Sequence, residues 1–447
     1  MTLSLTPLPL SDLPIFEAKT AQYHLFYAPA CVVITPPDQA ESFSRAILNH
    51  DLGGVWAKTL RNHAQQAIIQ HQQQATGKFA PECLTLYLHN QCNLACAYCY
   101  TDPLHQSAPK LDPQAIESAG ELVAQNCQRK NLPFTVVFHG GGEPSLFTNQ
   151  VDEALNILKT IAQRHGLRMF RYIATNGVMS DDKARWLASR FDLIGLSCDG
   201  TPDIHNRQRP LFGGGASSAS LERTAHILRE MSHPFHVRLT ITRDTIHQQS
   251  DSVAYICTHL MPDEIHLEPV YMGGKTDTSL AVDEAILFVD GFLEAQAVAH
   301  RHGIPVTFSG GRLKDIHGGY CHVFRNVLNI IPDGNITACF KETRGESVNQ
   351  AGLGMGAWHP QTGIALDTIH IKKIAKKLSD FPSGCADCFN RFHCTRACPD
   401  GCALDDTHNP SGTFRCMIQQ KLAYHTIFAT AEQLWHKSDG RIMGVIL

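Results

Sequence analysis

Segments with the two-residue hydrophobic period of strands alternate with segments of helical period through the middle of the chain. The predicted strands are 84–89, 134–139, 169–175, 193–197, 236–242 and 264–270. The predicted helices between and after them are 113–126, 150–165, 181–190, 220–231, 249–260 and 282–302. Such strand–helix units predict parallel strands joined by right-handed crossovers. A closed eight-unit barrel takes about 250 residues and this stretch is about 220, which favours an open, partial barrel over 81–309.

The segment before this region has a different pattern. Residues 23–35 predict two short strands or a hairpin around Pro29, and 38–49 predict a helix with an apolar face. Residues 55–74 predict a polar helix rich in Gln and His. We therefore interpret residues 1–80 as a small α+β N-terminal extension.

Past the barrel the alternation stops. Residues 327–331 and 336–339 flank a turn that contains glycine, and they predict a hairpin. Residues 381–416 are rich in cysteine and loop-forming residues, and 414–436 predict a final helix. We interpret 310–447 as a separate cysteine-rich domain.

Composition narrows the class of protein. The chain has 447 residues, and its 38 Lys and Arg against 42 Asp and Glu give a net charge of −4, which offers no basic surface for nucleic acid. Its first ten residues lack the basic and apolar regions of a secretory signal, and no apolar run is long enough to cross a membrane. In a protein that we expect to be cytoplasmic, 16 cysteines indicate metal binding rather than disulfides.

Three cysteines lie close together directly after the first predicted barrel strand: Cys92, Cys96 and Cys99. The loop after a strand faces the functional end of such a barrel. Three thiolates at this spacing can hold three irons of a cubane cluster and leave the fourth iron open. A tetrahedral zinc site, the alternative, needs a fourth local ligand.

The sequence CNLACAYC around these cysteines resembles the signature of the radical S-adenosylmethionine (SAM) superfamily, with Tyr98 at its aromatic position. The resemblance implies a partial (β/α)6 barrel, a catalytic [4Fe–4S] cluster on the three cysteines, and SAM bound to the open iron. It also implies reductive cleavage of SAM to a 5′-deoxyadenosyl radical, which abstracts hydrogen from the substrate.

Other segments resemble the SAM-contacting segments of that superfamily. The glycine-rich turn after the second strand contains Gly141, Gly142, Glu143 and Pro144, and the resemblance assigns Glu143 to the ammonium group of SAM. The same resemblance assigns further SAM contacts to residues at or beyond the ends of later strands: Thr175, Asn176, Ser197, Asp199, Arg209 for the carboxylate and Val270 for the adenine. A surface position for Arg209 and a core position for Val270 are the structural alternatives.

The C-terminal cysteines have an ordered spacing. Twelve residues separate Cys321 from Gly334 and four more precede Cys339, and the later set is Cys385-x2-Cys388-x5-Cys394-x3-Cys398 followed by Cys416. This spacing resembles that of the SPASM domain, which holds auxiliary iron–sulfur clusters in radical SAM enzymes that modify peptides and proteins. The resemblance assigns the outer cluster to Cys385, Cys388, Cys394 and Cys416, and the inner cluster to Cys321, Cys339 and Cys398. A pair of zinc ribbons is the alternative.

The inner cluster is one ligand short in this assignment. His317, Tyr320 or Cys402 could complete it, or the position could stay open for substrate. The alternative for Cys402 is a structural cysteine. The remaining five cysteines are expected to be small buried residues: Cys31, Cys83, Cys127, Cys198 and Cys257.

The two resemblances together imply an enzyme that modifies a peptide. Sulfatase-maturing relatives place an acidic residue after the cysteine matching Cys339, whereas this chain has Phe340. This favours maturation of a ribosomally made natural-product precursor by tyramine excision (splicease chemistry), crosslinking or epimerisation, the last needing a hydrogen donor such as Cys198 or Cys257. The alternatives are a sulfatase-type maturase, a radical SAM enzyme acting on a small molecule, and a non-catalytic zinc scaffold.

The resemblance also implies partners. These are the precursor peptide, a flavodoxin- or ferredoxin-type electron donor, and a small leader-binding protein. Residues 1–80 could bind the leader of the precursor by adding a strand to their sheet, or they could simply cover the open barrel.

Overall fold

A computed structural model defines the fold. It describes residues 4–9, 12–49, 54–76, 78–101, 109–270, 282–310, 312–316, 325–345, 352–379, 385–394 and 414–447. Within these ranges the strands form one five-stranded and one eleven-stranded sheet.

The N-terminal unit consists of an antiparallel sheet and two helices. Its strands are β1 (Thr6–Pro7), β2 (Phe16–Lys19), β3 (His24–Ala28) and β4 (Cys31–Thr35), followed by α1 (Ala40–Leu48) and α2 (Val55–Thr76). This agrees with the hairpin and the two helices that the hydrophobic pattern predicts.

The barrel strands alternate with helices along the chain. The strands are β5 (Cys83–Leu86), β6 (Phe134–Phe138), β7 (Met169–Thr175), β8 (Leu193–Ser197), β9 (Phe235–Ile241), β10 (Glu264–Pro269) and β11 (Val306–Thr307). The helices are α3 (Pro113–Lys130), α4 (Thr148–Arg164), α5 (Asp181–Arg190), α6 (Pro202–Gln208), α7 (Ser218–Glu230), α8 (Gln249–Tyr255) and α9 (Ala285–Arg301). All neighbouring strands from β5 to β11 pair in parallel, because a helix returns the chain after each strand.

Local sequence fixes the ends of α3. Pro113 occupies its first turn, and the Asp112 carboxylate before it accepts the backbone N–H of Gln114 at 2.8 Å. Asn131 ends the helix in the left-handed conformation, with φ of 54°. An acidic N-cap, an early proline and a left-handed asparagine are each favoured at these positions.

The C-terminal part extends the barrel sheet. Its elements are β12 (Val327–Ile330), β13 (Asn335–Thr337), β14 (Gly354–His359), β15 (Gly363–Leu366), α10 (Thr368–Ser379), α11 (Phe414–Lys437) and β16 (Met443–Ile446). The predicted hairpin is β12–β13, and β12 pairs in parallel with β5, with Leu328 opposite Leu84. The hairpin thereby attaches the segment carrying Cys339 to the edge of the barrel. The expected α/β fold, a partial radical SAM-type barrel with an added C-terminal region and an N-terminal α+β unit, is confirmed.

The last strand of the chain belongs to the first sheet. β16 pairs antiparallel with β4, with Val445 opposite Val32. One face of this sheet packs on α1 and α2 through Phe26, Val33 and Leu60, while the other face packs on α11. Residues near both ends of the chain therefore form one structural unit. The domain boundaries predicted from the sequence, 1–80 and 310–447, assign its two parts to different domains.

Alternation along the barrel strands separates two environments. Ile194, Leu196, Val237 and Leu239 belong to the apolar core. The intervening residues on β9 include His236, which points away from that core and faces polar groups of the neighbouring strands. The barrel is thus apolar outside and polar inside.

Candidate functional site

The loop carrying Cys92, Cys96 and Cys99 follows β5 and is fixed by backbone hydrogen bonds. Ala95 and Ala97 donate their N–H groups to the carbonyls of Pro210 and Gln208, both at 2.9 Å. The three cysteines are partly buried. They are also close enough for the charges of Cys96 and Cys99 to act on Cys92.

Burial raises the pKa of the Cys92 thiol to about 12, and the neighbouring Glu143 carboxylate adds to this effect. Burial also raises the pKa of Cys96, to about 11, although the Arg209 guanidinium opposes the shift. Both thiols would therefore have to release protons to become metal ligands, and a bound cation would favour that release.

The glycine-rich turn lies directly against the cysteine loop. A side chain at Gly142 would collide with the backbone of Gln91, and the N–H of Glu143 donates to the Gln91 carbonyl at 2.7 Å. Gly141 has φ of 76°, and a side chain there would collide with Asn90. Glycine is needed at position 142 because two backbones approach closely, and at position 141 because of the positive φ and the Asn90 side chain.

Glu143 is buried and links three segments. Its carboxylate accepts the N–H of Ser145 at 3.0 Å, the Thr175 hydroxyl at 2.6 Å and the N–H of Asn176 at 2.7 Å. The Asn176 amide in turn donates to the Asn93 side chain at 2.8 Å, inside the cysteine loop. These three donors fix the orientation of the carboxylate, and an oriented carboxylate suits recognition of an ammonium group.

Asp199 forms a second buried centre on the other side of the cysteine loop. One of its oxygens accepts the Tyr98 hydroxyl at 2.7 Å, the Gln208 amide at 2.9 Å and the Arg209 Nε–H at 2.9 Å. The Arg209 guanidinium lies 5.2 Å from the centre of the Tyr98 ring. Burial works against its charge, but Asp199, the Tyr98 hydroxyl and Cys96 hold the pKa of Arg209 well above its ordinary value.

The remaining residues assigned to SAM border the same end of the barrel. Pro144 and Thr175 are buried, Ser197 is partly buried at the end of β8, and Val270 follows β10 with its N–H bonded to the Ile241 carbonyl. The structure thus brings the cysteine loop, the glycine-rich turn and Asp199 together. That Arg209, Val270 and the others contact SAM remains a prediction.

Only part of the C-terminal cysteine set lies within the described residues. Cys339 follows β13, while Cys388 and Cys394 lie in successive turns after Cys385, with N–H bonds to the carbonyls of Cys385 and Asn390. Cys416 lies in the first turn of α11. The other residues considered for these clusters are outside the described ranges: Cys321, Cys398, Cys402, His317 and Tyr320.

Several polar residues inside the barrel were not anticipated from the sequence. The Tyr172 hydroxyl lies 3.0 Å from Nε2 of His236, and the rings of His236 and His266 are 4.5 Å apart. Gly195 on the intervening strand makes room for the first pair, since a Cβ atom there would collide with the Tyr172 hydroxyl. The alternation of His236 and Arg238 with apolar Val237 and Leu239 was the available signal.

The donor set can be compared with the groups that the sequence implies. Across the described residues, no three His, Cys, Asp or Glu side chains converge on a single-ion position. Three mutually close cysteines on one loop suit a larger cluster, and the buried Glu143 beside them suits an ammonium ligand. When bound, such a cluster supplies an electron that cleaves SAM. The chain itself would contribute the cysteine thiolates and the oriented carboxylate of Glu143.

This arrangement defines a radical SAM domain, and comparison with known proteins agrees. Residues 86–252 match the radical SAM superfamily model. The chain therefore contains a radical SAM domain over residues 86–252.

Relatives share this region. A cysteine-type anaerobic sulfatase-maturating enzyme of Clostridium perfringens is 27% identical over 157 residues, which are 34% of this chain and 42% of that protein. Mycofactocin maturase MftC of Mycobacterium ulcerans is 28% identical over 290 residues, or 59% of this chain and 69% of that protein. The match to the sulfatase-maturating enzyme thus spans under half of its length.

Solved structures share the fold over a larger share of the chain. Native anSMEcpe with bound AdoMet has a TM-score of 0.62 and 18% identity, covering 79% of this chain and 99% of that one. Streptococcus suis SuiB bound to precursor peptide SuiA has a TM-score of 0.52 and 15% identity, covering 78% of this chain and 77% of that one.

Among the described residues, no helix combines the length and apolar character needed to cross a membrane.

Proposed function

We propose that this protein is a radical SAM enzyme that modifies a ribosomally synthesised peptide. The observation that carries the proposal is the contact between the loop of Cys92, Cys96 and Cys99 and the buried carboxylate of Glu143. In this proposal the cysteines hold a [4Fe–4S] cluster, and Glu143 binds the ammonium group of SAM. Asp199 keeps Tyr98 and Arg209 beside them.

Two auxiliary iron–sulfur clusters are part of the proposal. Cys385, Cys388, Cys394 and Cys416 would hold the outer one, and Cys339 with Cys321 and Cys398 the inner one. Support comes from the spacing of these cysteines and from the position of Cys339 on a hairpin paired to β5, the strand that precedes the catalytic loop. Cys339 also acts electrostatically on Tyr100, which lies next to Cys99.

A peptide substrate is supported by the relatives. One relative is named a maturase, mycofactocin maturase MftC. The structure of SuiB contains its precursor peptide SuiA. A sulfatase-type reaction is less well supported, because the residue after Cys339 is Phe340. Its ring stacks on His139 at 5.2 Å and its carbonyl accepts the Tyr87 hydroxyl at 2.6 Å. An aromatic residue there provides no general base.

The cysteines considered as hydrogen donors lie away from the barrel interior. Cys198 and Cys257 are buried in the apolar core with the helices, and burial raises the pKa of Cys257 to about 11. Tyramine excision and crosslinking therefore fit the described residues better than an epimerisation that uses either of these two thiols. A flavodoxin- or ferredoxin-type protein would supply the electrons.

The N-terminal unit is proposed to serve mainly as structural support. The edge of β4 is already occupied by β16, and both faces of the sheet are covered. Among the described residues, the short β1 alone covers the outer edge of β2. A precursor leader or a small leader-binding protein that adds a strand would use this β1–β2 edge.

The test is anaerobic purification followed by iron, sulfide and SAM-cleavage assays. We expect a brown protein with about four irons per cubane cluster and reductant-dependent formation of 5′-deoxyadenosine. A colourless protein loaded with zinc would contradict the proposal.

Mass spectrometry of a peptide encoded beside the gene then identifies the reaction. Tyramine excision lowers the mass by one tyramine unit, and crosslinking removes hydrogens. Epimerisation in deuterated water adds deuterium without any other change. An unchanged peptide together with active SAM cleavage would favour a small-molecule substrate.

A further inference from the structure

The interior of the barrel contains an arginine in an unusual position. Arg238 lies on β9 two residues beyond His236, so both side chains leave the strand on its inner side. Its register partners are Ser197 on β8 and His266 on β10. The side chain is accessible to solvent although other interior groups surround it. It therefore points into the open interior and not into packed protein.

The histidines around Arg238 are neutral near pH 7. Burial, reinforced by Arg238 itself, lowers the pKa of His139 to about 3. Burial, His266 and Arg238 together lower the pKa of His236 to about 3. Tyr172 has a raised pKa because it is buried. The guanidinium thus provides the positive charge in this part of the interior.

Nearby carboxylates are committed to other groups. Asp199 is bonded to Tyr98, Gln208 and Arg209. Glu268 accepts the N–H of Ser309 at 2.6 Å. It helps Tyr172 to hold the pKa of Arg238 above its ordinary value, against the opposing effect of burial.

Within the described ranges, no carboxylate lies within the 4.0 Å ion-pairing distance of Arg238. A guanidinium that lines the open interior and has no contacting carboxylate is available to pair with an anionic group of a ligand.

Arg238 is separated from Asp199 and Arg209, although Ser197, which is also assigned to SAM, is its register partner on β8. Asp199 accepts the N–H of Thr240, two residues nearer the carboxyl end of β9. Arg238 is therefore one layer deeper in the barrel. Its charge nonetheless acts on Tyr100, which also lies near Cys99 and Cys339. A molecule that entered the interior beneath the catalytic loop would reach this guanidinium.

We propose that Arg238 binds a carboxylate group of the substrate peptide, with the hydroxyl of Tyr172 as a neutral donor beside it. The inference rests on the proposed function, because it places a peptide in the barrel. A guanidinium can bind both carboxylate oxygens at once, which an amide in the same position cannot match. Arg238 is accordingly a specificity residue for an acidic side chain or a C-terminal carboxylate.

The test measures discrimination between two small probes. N-acetyl-glutamate N-methylamide and its glutamine counterpart are titrated into the cofactor-loaded enzyme under anaerobic conditions, using equilibrium dialysis. We expect the wild type to bind the glutamate probe about tenfold more tightly, as for a charge-assisted bidentate contact. Arg238→Gln should abolish this preference and Arg238→Lys should reduce it. Equal binding of both probes by the wild type, or an unchanged preference in Arg238→Gln, would overturn the inference.

Arg243→Gln is the matched control. Arg243 lies just past the end of β9, is 43% exposed and pairs with Glu284 at 3.2 Å outside the barrel. This variant should keep the preference. Iron content and circular dichroism report whether Arg238→Gln folds, and if it does not, Arg238→Lys alone decides the outcome.

Two further measurements separate the possible sources of the carboxylate and the two proposals. Arg238→Gln should bind SAM as the wild type does. A parallel loss of SAM affinity would assign the contact to the carboxylate of SAM and overturn the inference. Formation of 5′-deoxyadenosine by the wild type tests the proposed function without reference to Arg238. Probe discrimination without SAM cleavage would leave the binding site standing while the proposed function fails.

Discussion

The two sheets of this protein differ in the polarity of their faces. In the N-terminal sheet both faces are apolar, and Leu25 and Phe26 on neighbouring positions of β3 are each 0% exposed. In the barrel sheet only the face toward the helices is apolar, while the inner face carries His236 and Arg238. Buried polar groups cost free energy unless they are partnered. We therefore expect the polar interior of the barrel to bind ligands, and the apolar N-terminal sheet to contribute to the stability of the fold.

The largest expected effect is on the chemistry of the barrel. Cys96→Ala removes one of the three proposed cluster ligands on the loop after β5. We expect no detectable 5′-deoxyadenosine, because the catalytic cluster cannot be held by the two remaining cysteines. Chromatographic assay of the nucleoside under reducing conditions measures this. The C-terminal clusters should still assemble, so the iron content should fall only in part.

Cys31→Ala is the control for that experiment. Cys31 is buried in the core beneath the N-terminal sheet. Its removal should leave SAM cleavage intact at a temperature where the protein remains folded. Persistent 5′-deoxyadenosine formation in Cys96→Ala would contradict the assignment of SAM cleavage to the cysteine loop of the barrel.

The next effect concerns stability alone. Phe26 is 0% exposed, and its ring lies 5.0 Å from that of Phe43 on α1. Phe26→Ala should lower the free energy of unfolding of the N-terminal unit by about 3–5 kcal/mol. Denaturant titration measures the loss. The rate of SAM cleavage per folded molecule should not change, because this core lies outside the barrel.

Ile286→Ala makes the matching change on the surface. Ile286 on α9 is 51% exposed. Its truncation should alter stability by no more than about 0.5 kcal/mol. Similar losses in both variants would mean that the apolar N-terminal core contributes little.

A smaller effect is expected from filling the space inside the barrel. Gly195→Ala introduces a Cβ atom that collides with the Tyr172 hydroxyl and lies 2.8 Å from Nε2 of His236. The Tyr172–His236 hydrogen bond must break or shift, at a cost of about 1–3 kcal/mol. Thermal unfolding measures this cost. Adding Tyr172→Phe should recover part of it, and no recovery would show that Tyr172 is not the obstacle.

The sequence predicts the individual elements better than it predicts their partners. The pattern of residues 169–175, 181–190 and 193–197 locates β7, α5 and β8 at their observed bounds. Periodicity succeeds there because each element has one apolar face turned to the core. It does not reveal that β16 pairs with β4, since that contact joins strands more than 400 residues apart along the chain and depends on the packing of α11.

The candidate site divides in the same way. The proximity of Glu143 to Cys92, Cys96 and Cys99 could be predicted, because the cluster and ammonium binding that the sequence implies require particular residue types at a fixed spacing. The role of Asp199 in holding both Tyr98 and Arg209 could not, because residues from separate loops meet there. The interior position of Arg238 could not be predicted either. Alternation along β9 shows that Arg238 and Val237 point to opposite faces of the sheet. It does not show that the face with Arg238 lines a polar barrel interior.

The smallest effect tests the polar interior through its pH dependence. The pKa of folded His236 is lowered to about 3, with burial as the largest cause. In the unfolded chain a histidine titrates near its ordinary value of about 6.5. Between these values the unfolded state binds one proton more, so stability falls as the pH decreases from about 6.5 toward 3. His236→Gln should therefore reduce the slope of stability against pH by up to about 1.4 kcal/mol per pH unit.

Denaturant titrations at several pH values between 4 and 7 measure that slope. His226→Gln is the control, because His226 on α7 is exposed and pairs with Glu230 at the surface. An equal slope for His236→Gln and the wild type would mean that the interior admits the proton in the folded state. The inner face of the barrel sheet would then behave like solvent around His236. The proposed difference between the two sheets, apolar on both faces in one and polar on the inner face in the other, would not affect protonation.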